Sequence, residues 1–216
     1  MKDTINLSDK LKHAFVTNFI DFGDDKKIEE FFFWQNFFKK NFFLKDKKRI
    51  KKIFNIIPSA GEGSRHKKLG YNKPKPLIPI SGKTMFENSL DRLPNSKENL
   101  FIFRKNTFKK FNIKKIFLQS KVLKNFYLIE KKTKGMAETI LYARDSIPLN
   151  KPVLVSSCDI SFIIDYKKFY TLIKKNPDGI IFTWRNYPFA DESPNSHAYV
   201  KVKNNIVTKI SEKKTI

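Results

Sequence analysis

An apolar strand, Ile53–Ile57, runs straight into the loop Pro58-Ser59-Ala60-Gly61-Glu62-Gly63-Ser64-Arg65. Shortly after it the chain reads Lys73-Pro74-Lys75-Pro76-Leu77-Ile78-Pro79-Ile80, then Gly82-Lys83. A glycine loop at a strand end frees backbone N–H groups to cradle phosphate oxygens, and Arg65 and Lys75 add the cations that a polyphosphate demands. Pro74 and Pro76 fix φ on both sides of Lys75 and so hold its ammonium in a set direction. The loop fits neither of the two commonest phosphate cradles, because the sequence contains no G-x-G-x-x-G and no G-x-x-x-x-G-K-[ST].

Beyond this loop, short apolar runs alternate with amphipathic stretches. Strands are expected at Ile53–Ile57, Leu100–Phe103, Phe126–Ile129, Val153–Ser156, Gly179–Thr183, Ala198–Val202 and Ile206–Ile210, and helices at Thr84–Leu93, Ala137–Ser146 and Tyr166–Lys175. Such alternation predicts an α/β domain, a Rossmann-like and mostly parallel sheet flanked by helices. The middle helix places Ala137, Ile140, Leu141 and Ile147 on one apolar face with Arg144 at its edge. Asp165 is the expected N-cap of the third helix, and Asn204-Asn205 the turn of a terminal hairpin. In open α/β sheets ligands bind beyond the carboxyl ends of the strands. Gly61–Arg65 follows the first strand and Asp159 follows Val153–Ser156, so both fall on that edge.

The 216 residues suffice for one sizeable core. The net charge of +23 would ordinarily indicate nucleic acid or an anionic membrane. Only six of the 44 cations are arginine, however, and the lysines are spread along the whole chain. Base reading favours the bidentate guanidinium, so this distribution argues against a specific nucleic-acid partner. The three histidines are far apart with no metal-ligand spacing, which argues against a zinc site, and no G-x-S-x-G elbow offers a serine nucleophile. The single cysteine, Cys158, cannot form an internal disulfide and reads as a small buried hydrophobe. The polar Met1–Asp9 stretch has no apolar segment of a secretory signal, and no run approaches 18 apolar residues, so a cytoplasmic protein without a membrane span is expected.

Residues 1–50 differ from the rest and are expected to form an aromatic and basic N-terminal extension to a domain at 51–216. Between Ile28 and Leu44, Phe31, Phe32, Phe33, Trp34, Phe37, Phe38, Phe42 and Phe43 cover most of a helical wheel, leaving Glu29, Asn36 and Lys40 as a polar strip. A helix apolar nearly all round is buried on several sides. The expectation is docking on the main domain or on a second subunit of a homo-oligomer, with peripheral membrane attachment as the alternative. Lys45–Lys52 reads as a solvated linker.

Taken together, A-G-E-G-S-R, P-K-P-L and G-K resemble the first motif of the nucleotidyltransferases that join a sugar 1-phosphate to a nucleotide, especially those of capsule and surface-polysaccharide synthesis. The resemblance extends from about Ile53 to Ile216 through Ser156-Ser157-Cys158-Asp159, the strand His197-Ala198-Tyr199-Val200-Lys201-Val202 and the ending Glu212-Lys213-Lys214-Thr215-Ile216. It implies that Ala60, Gly61, Glu62, Gly63 and Ser64 bind the nucleotide phosphates and that Arg65 and Lys75 are catalytic. It further implies that Asp159 holds Mg²⁺, that Gly135 of Thr133-Lys134-Gly135-Met136-Ala137 meets the nucleobase, and that Glu212 and Lys213 bind the acceptor. Magnesium suits such a site because it keeps most of its waters and needs one or two carboxylates plus phosphate oxygens. The implied partners are an NTP and a phosphorylated small molecule. The family pattern carries more strands and a second magnesium carboxylate after E-K, so a C-terminally incomplete domain is an expectation here. A catalytically silent or regulatory nucleotide-binding subunit and a basic membrane- or nucleic-acid-binding module are the two rival readings.

Overall fold

The computed structural model describes residues 11–21, 27–28, 31–32, 34–35, 53–94, 98–118, 125–184 and 194–213. The strands along the chain are β1 (Leu11–Asp21), β2 (Phe54–Pro58), β3 (Pro79–Ile80), β4 (Lys83–Thr84), β5 (Glu98–Arg104), β6 (Asn125–Ile129), β7 (Val153–Val155), β8 (Ile160–Ile164), β9 (Gly179–Thr183), β10 (Ala198–Lys203) and β11 (Ile206–Glu212). The helices are α1 (Ser64–Lys68), α2 (Met85–Leu90), α3 (Lys105–Lys110), α4 (Ile113–Leu118), α5 (Met136–Tyr142) and α6 (Tyr166–Lys174). Contacts divide the chain into two compact units, Met1–Phe19 with Phe162–Ile216, and Ile20–Ser161. These limits differ from the boundary near residue 50 that composition suggested. Much of the aromatic and basic stretch, including Phe33, Phe37, Phe38, Phe42, Phe43 and Lys45–Lys52, lies outside the described residues.

The larger unit is built on a parallel sheet of order β6-β5-β2-β7, the mostly parallel α/β sheet expected from the alternating pattern. Asn55 pairs in register with Asn99 on one side and with Leu154 on the other. Strand β5 is apolar without alternation because both its faces are covered, as in parallel sheets generally. Leu100 and Ile102 pack with Phe54, Ile56, Ile129 and Ala143 on one face. Phe101 and Phe103 turn to the other, where they meet Phe86 of α2 and Phe117 of α4; the Phe86 and Phe117 rings stack with centroids 4.0 Å apart. The abundant phenylalanine therefore serves packing here. Thr84 caps α2 in a capping box with Glu87, which is why this helix begins one residue later than the expected Thr84.

Helix α5 corrects one expectation. It stops at Tyr142, and a 3-10 turn, Arg144–Ser146, carries the chain on. Thr139 and Ala143 are buried and Ile140 and Ile147 pack on the core, whereas Leu141 is 64% exposed and Ala137 is also exposed. Within the helix the inward face runs through Thr139, Ile140 and Ala143, which turns Ala137 and Leu141 outward, and the break at Ala143 separates Arg144 and Ile147 from the helix.

In the smaller unit the sheet runs β10-β11-β1-β8, with β9 also pairing β1. Strand β1 lies parallel to β9, Leu11 opposite Gly179, and antiparallel to β11, Lys12 opposite Ile206. Asn204 and Asn205 turn the β10–β11 hairpin with φ of 51° and 61°, the left-handed pair that a type I′ turn requires. Asp165 caps α6 as expected, its carboxylate accepting from the Lys168 amide at 3.0 Å. Phe169 of α6 packs on Phe182 of β9.

Candidate active site

From β2 the chain moves outward through β5 and β6, then crosses back to lay β7 on the opposite side of β2. The reversal makes the carboxyl ends of β2 and β7 the topological switch point, where open α/β sheets form their ligand crevice. The glycine loop leaves the end of β2 there. Among the described residues, the amides of Gly61, Glu62 and Gly63 donate to no backbone carbonyl. Gly63 has φ 61°, and a Cβ built on it would stand 3.2 Å from the Cβ of Lys75. Glycine is thus favoured twice at this position, by the left-handed backbone and by the close approach of the Lys75 turn, which would have to yield by a few tenths of an ångström to a side chain. Gly61 faces open space. Ser64 and Arg65 begin α1; both are exposed, and Arg65 has no acidic partner among the described residues.

Lys75 opens a 3-10 turn, Lys75–Leu77, held by hydrogen bonds from the Leu77 amide to Pro74 O (2.8 Å) and from the Ile78 amide to Lys75 O (3.2 Å). Its Nζ donates to Asp159 Oδ2, while Ser157 Oγ donates to Oδ1. Asp159 sits in the turn after β7 and is 7% exposed. Burial pushes its carboxyl up, but the Lys75 ammonium and the hydrogen bonds from Lys75 and Ser157 outweigh that and hold it below the usual aspartate range. Adjacent Cys158 is buried, and burial, reinforced by the Asp159 charge, raises its thiol to about 12. A thiol so protonated is no nucleophile, in keeping with its reading as a small hydrophobe.

Glu62 joins three strand ends. Its Oε1 lies 3.4 Å from Arg104 Nη1 at the end of β5, and its Oε2 lies 3.1 Å from Lys132 Nζ beyond β6. The hydrogen bond and charge of Lys132, helped by Arg104, lower the Glu62 pKa. Sequence reasoning missed Ser157, Arg104 and Lys132. The usable signal for Arg104 was its place among only six arginines, directly at a strand end. Gly135 precedes α5 with φ 177°, extended backbone open to any residue, and nothing lies within 4 Å of a Cβ built there. Space, not strain, distinguishes it. Glu212 and Lys213 belong to the smaller unit, where they are exposed and 3.5 Å apart; Lys213 has φ 58° and its amide donates to His197 O.

Among the described residues no group of three His, Cys, Asp or Glu is placed to hold a metal. The buried carboxylate of Asp159 at the switch point fits a cation that completes its shell with water and phosphate oxygens, as magnesium does. Among those residues, no helix is long and apolar enough to cross a membrane.

The arrangement defines an α/β protein with a glycine loop and a lysine–aspartate pair at its switch point. Residues 54–214 match the nucleotidyl transferase family, and the chain belongs to it. The bifunctional protein GlmU of Methanocaldococcus jannaschii is 31% identical over 114 residues, covering 53% of this chain and 26% of that protein. GlmU of Methanococcus maripaludis strain C5 is 30% identical over 130 residues, covering 57% and 30%. The chain therefore spans between a quarter and a third of the length of these relatives. A Bacillus anthracis protein described as a candidate glucose-1-phosphate thymidylyltransferase, crystallised with sucrose, shares the fold with a TM-score of 0.55 and 18% identity, over 75% of this chain and 65% of that one.

Proposed function

We propose that the protein transfers a nucleoside monophosphate from an NTP to a sugar 1-phosphate or similar phosphorylated acceptor, releasing pyrophosphate. The observation that carries this reading is the Lys75–Asp159 pair beside Gly63 at the switch point, a cation and an anion set where a polyphosphate and its metal would meet. A phosphate oxygen of the acceptor attacks the α-phosphorus, and the bond from that phosphorus to the bridging oxygen of the β-phosphate breaks, its electron pair leaving with pyrophosphate. Positioning and charge neutralisation carry such chemistry. The Ala60–Ser64 backbone cradles the phosphates, Arg65 steadies the departing pyrophosphate, and Lys75 moves from Asp159 to the α-phosphate. Asp159 would hold Mg²⁺, which supplies charge neutralisation at the phosphate oxygens. Gly135 leaves room for the base, and Glu212 with Lys213 would bind the acceptor's hydroxyls and phosphate. The motif resemblance supports a cytoplasmic role in making precursors of surface polysaccharide.

The test is pyrophosphate release by the purified protein given each NTP, Mg²⁺ and a panel of sugar phosphates. Release that requires one NTP and one sugar phosphate supports the proposal. Nucleotide binding without release under every combination would overturn it in favour of a regulatory nucleotide-binding subunit.

A further inference from the structure

The lysine that opens the Lys75–Leu77 turn is held on several sides, and one of them is supplied from outside the family region. Gly63 closes against its Cβ, and Asp159 takes its ammonium. Underneath, Ile78, whose amide bonds to Lys75 O, is fully buried in a cluster with Ile80, Met85 and Phe31, and Trp34 packs on the same cluster. Met85 bonds back to Ile78 O at 2.8 Å, so Ile78 is fixed by its backbone on both sides. The contact is polar as well as apolar, because Gln35 Oε1 accepts from Ser81 Oγ at 3.2 Å. Ser81 has φ 50° and Gly82 φ 79°, the tight turn that closes the short β3–β4 hairpin immediately after the lysine loop. Phe31, Trp34 and Gln35 all precede residue 54, where the match to the family begins.

A one-turn 3-10 segment between two prolines has few hydrogen bonds of its own and takes its orientation from what it rests on. Phe31 is 8% exposed and Trp34 is partly buried, while Phe32 between them is 45% exposed. The segment thus directs its buried ring at the floor of the lysine turn.

We propose that Phe31 and Trp34 are positioning residues for Lys75: the aromatic segment before the family domain forms the floor that sets the height and direction of the lysine at the switch point. The inference rests on the nucleotidyltransferase reading. Removing the Phe31 ring lets Ile78 and the turn above it settle, and a lysine displaced by about an ångström loses much of its effect on the reacting phosphate.

A double-mutant cycle on the full-length chain distinguishes positioning from mere stabilisation. With pyrophosphate release as readout and the thermal midpoint confirming a folded protein, Phe31→Ala should lower kcat roughly 10- to 100-fold in the native background. In the Lys75→Ala background the same change should cost less than about twofold, because the group being positioned is gone. Phe31→Leu, which keeps an apolar filler, should restore most of the loss. Should Phe31→Ala fail to fold, Trp34→Leu takes its place in the cycle. Equal losses in both backgrounds would overturn the proposal, showing that the ring only stabilises the fold. A wild-type protein that binds NTP yet releases no pyrophosphate with any acceptor would instead overturn the activity reading, and this inference with it.

Discussion

The Cβ of Lys75 lies 3.2 Å from where a methyl group on Gly63 would sit, so the glycine loop and the lysine turn pack more closely than a side chain at residue 63 would allow without a small shift. Its φ of 61° adds a second penalty for any substitution. Gly63→Ala is therefore expected to lower stability by about 1–2 kcal/mol through left-handed strain and to reduce turnover by displacing Lys75. Gly61→Ala, where a Cβ meets nothing, should change stability little. Thermal melts of the two variants with parallel pyrophosphate assays check the contrast; equal destabilisation would refute it.

Lys75→Ala should cut turnover by roughly two to three orders of magnitude, the usual effect of removing one transition-state donor. It also leaves Asp159 buried without its cation, which should cost about 1–3 kcal/mol of stability. Lys75→Met combined with Asp159→Asn removes both charges and should recover much of that stability while staying inactive. Chemical denaturation separates these outcomes from the activity readout.

The depressed pKa of Asp159 has a defined consequence for pH. A carboxyl whose folded pKa lies below its unfolded value contributes stability that is fully present above the unfolded value, near 4, and is lost as pH falls through the lower, folded value. Thermal midpoints measured from about pH 6 downward should therefore fall less steeply for Asp159→Asn than for the native chain. The same variant should need more Mg²⁺ for half-maximal activity, since its amide lacks the charge that attracts the ion. An unchanged midpoint in the Mg²⁺ titration would leave Asp159 as a turn residue only.

Glu62 presents the opposite case, an acid inside a proposed anion site. Its pairs with Arg104 and Lys132 are screened by solvent, so Glu62→Gln should leave stability almost unchanged. Removing the negative charge should nonetheless tighten NTP binding by a few-fold at low salt, an advantage that fades as screening rises. Calorimetric titration with NTP at two ionic strengths measures this, and weaker binding at low salt would mean that the bridge holds the loop in its binding shape.

Cys158 should be inert. With its thiol raised to about 12 and buried, a disulfide reagent at pH 8 should label it only after denaturant opens the fold. Rapid labelling of the native protein would show that the turn beside Asp159 opens readily.

What the sequence made legible was local. The apolar run of β2, the Asn204-Asn205 turn and the Asp165 cap each depend on neighbours within a few residues, and the alternating pattern was enough for a mostly parallel sheet. Strand β1 was missed because Leu11–Asp21 mixes polar and apolar residues, and its partners Gly179–Thr183 and Ile206 lie far along the chain. Helices α3 and α4 are short and lysine-rich, with weak periodicity, and β8 hides in the apolar residues just after Asp159. At the site, Lys75 and Asp159 were each picked out from sequence and the structure brings them together. The partners of Glu62 were not, since nothing in Arg104 or Lys132 marks them as neighbours of residue 62 until β2, β5 and β6 are laid side by side.

The pairing of β1 with β9 and β11 also governs the order in which this molecule can be assembled. A ribosome delivers Leu11–Asp21 well before Gly179–Thr183 and Ile206–Glu212. The parallel sheet of the larger unit, whose strands all lie between Phe54 and Val155, can close while synthesis continues. Strand β1 must meanwhile wait without these partners, which is the condition under which chains find the wrong one. Slow, non-local closure of this kind makes the joining of β1 to β9 and β11, rather than the stability of the finished sheet, the point at which a growing chain is most open to chaperone capture or aggregation.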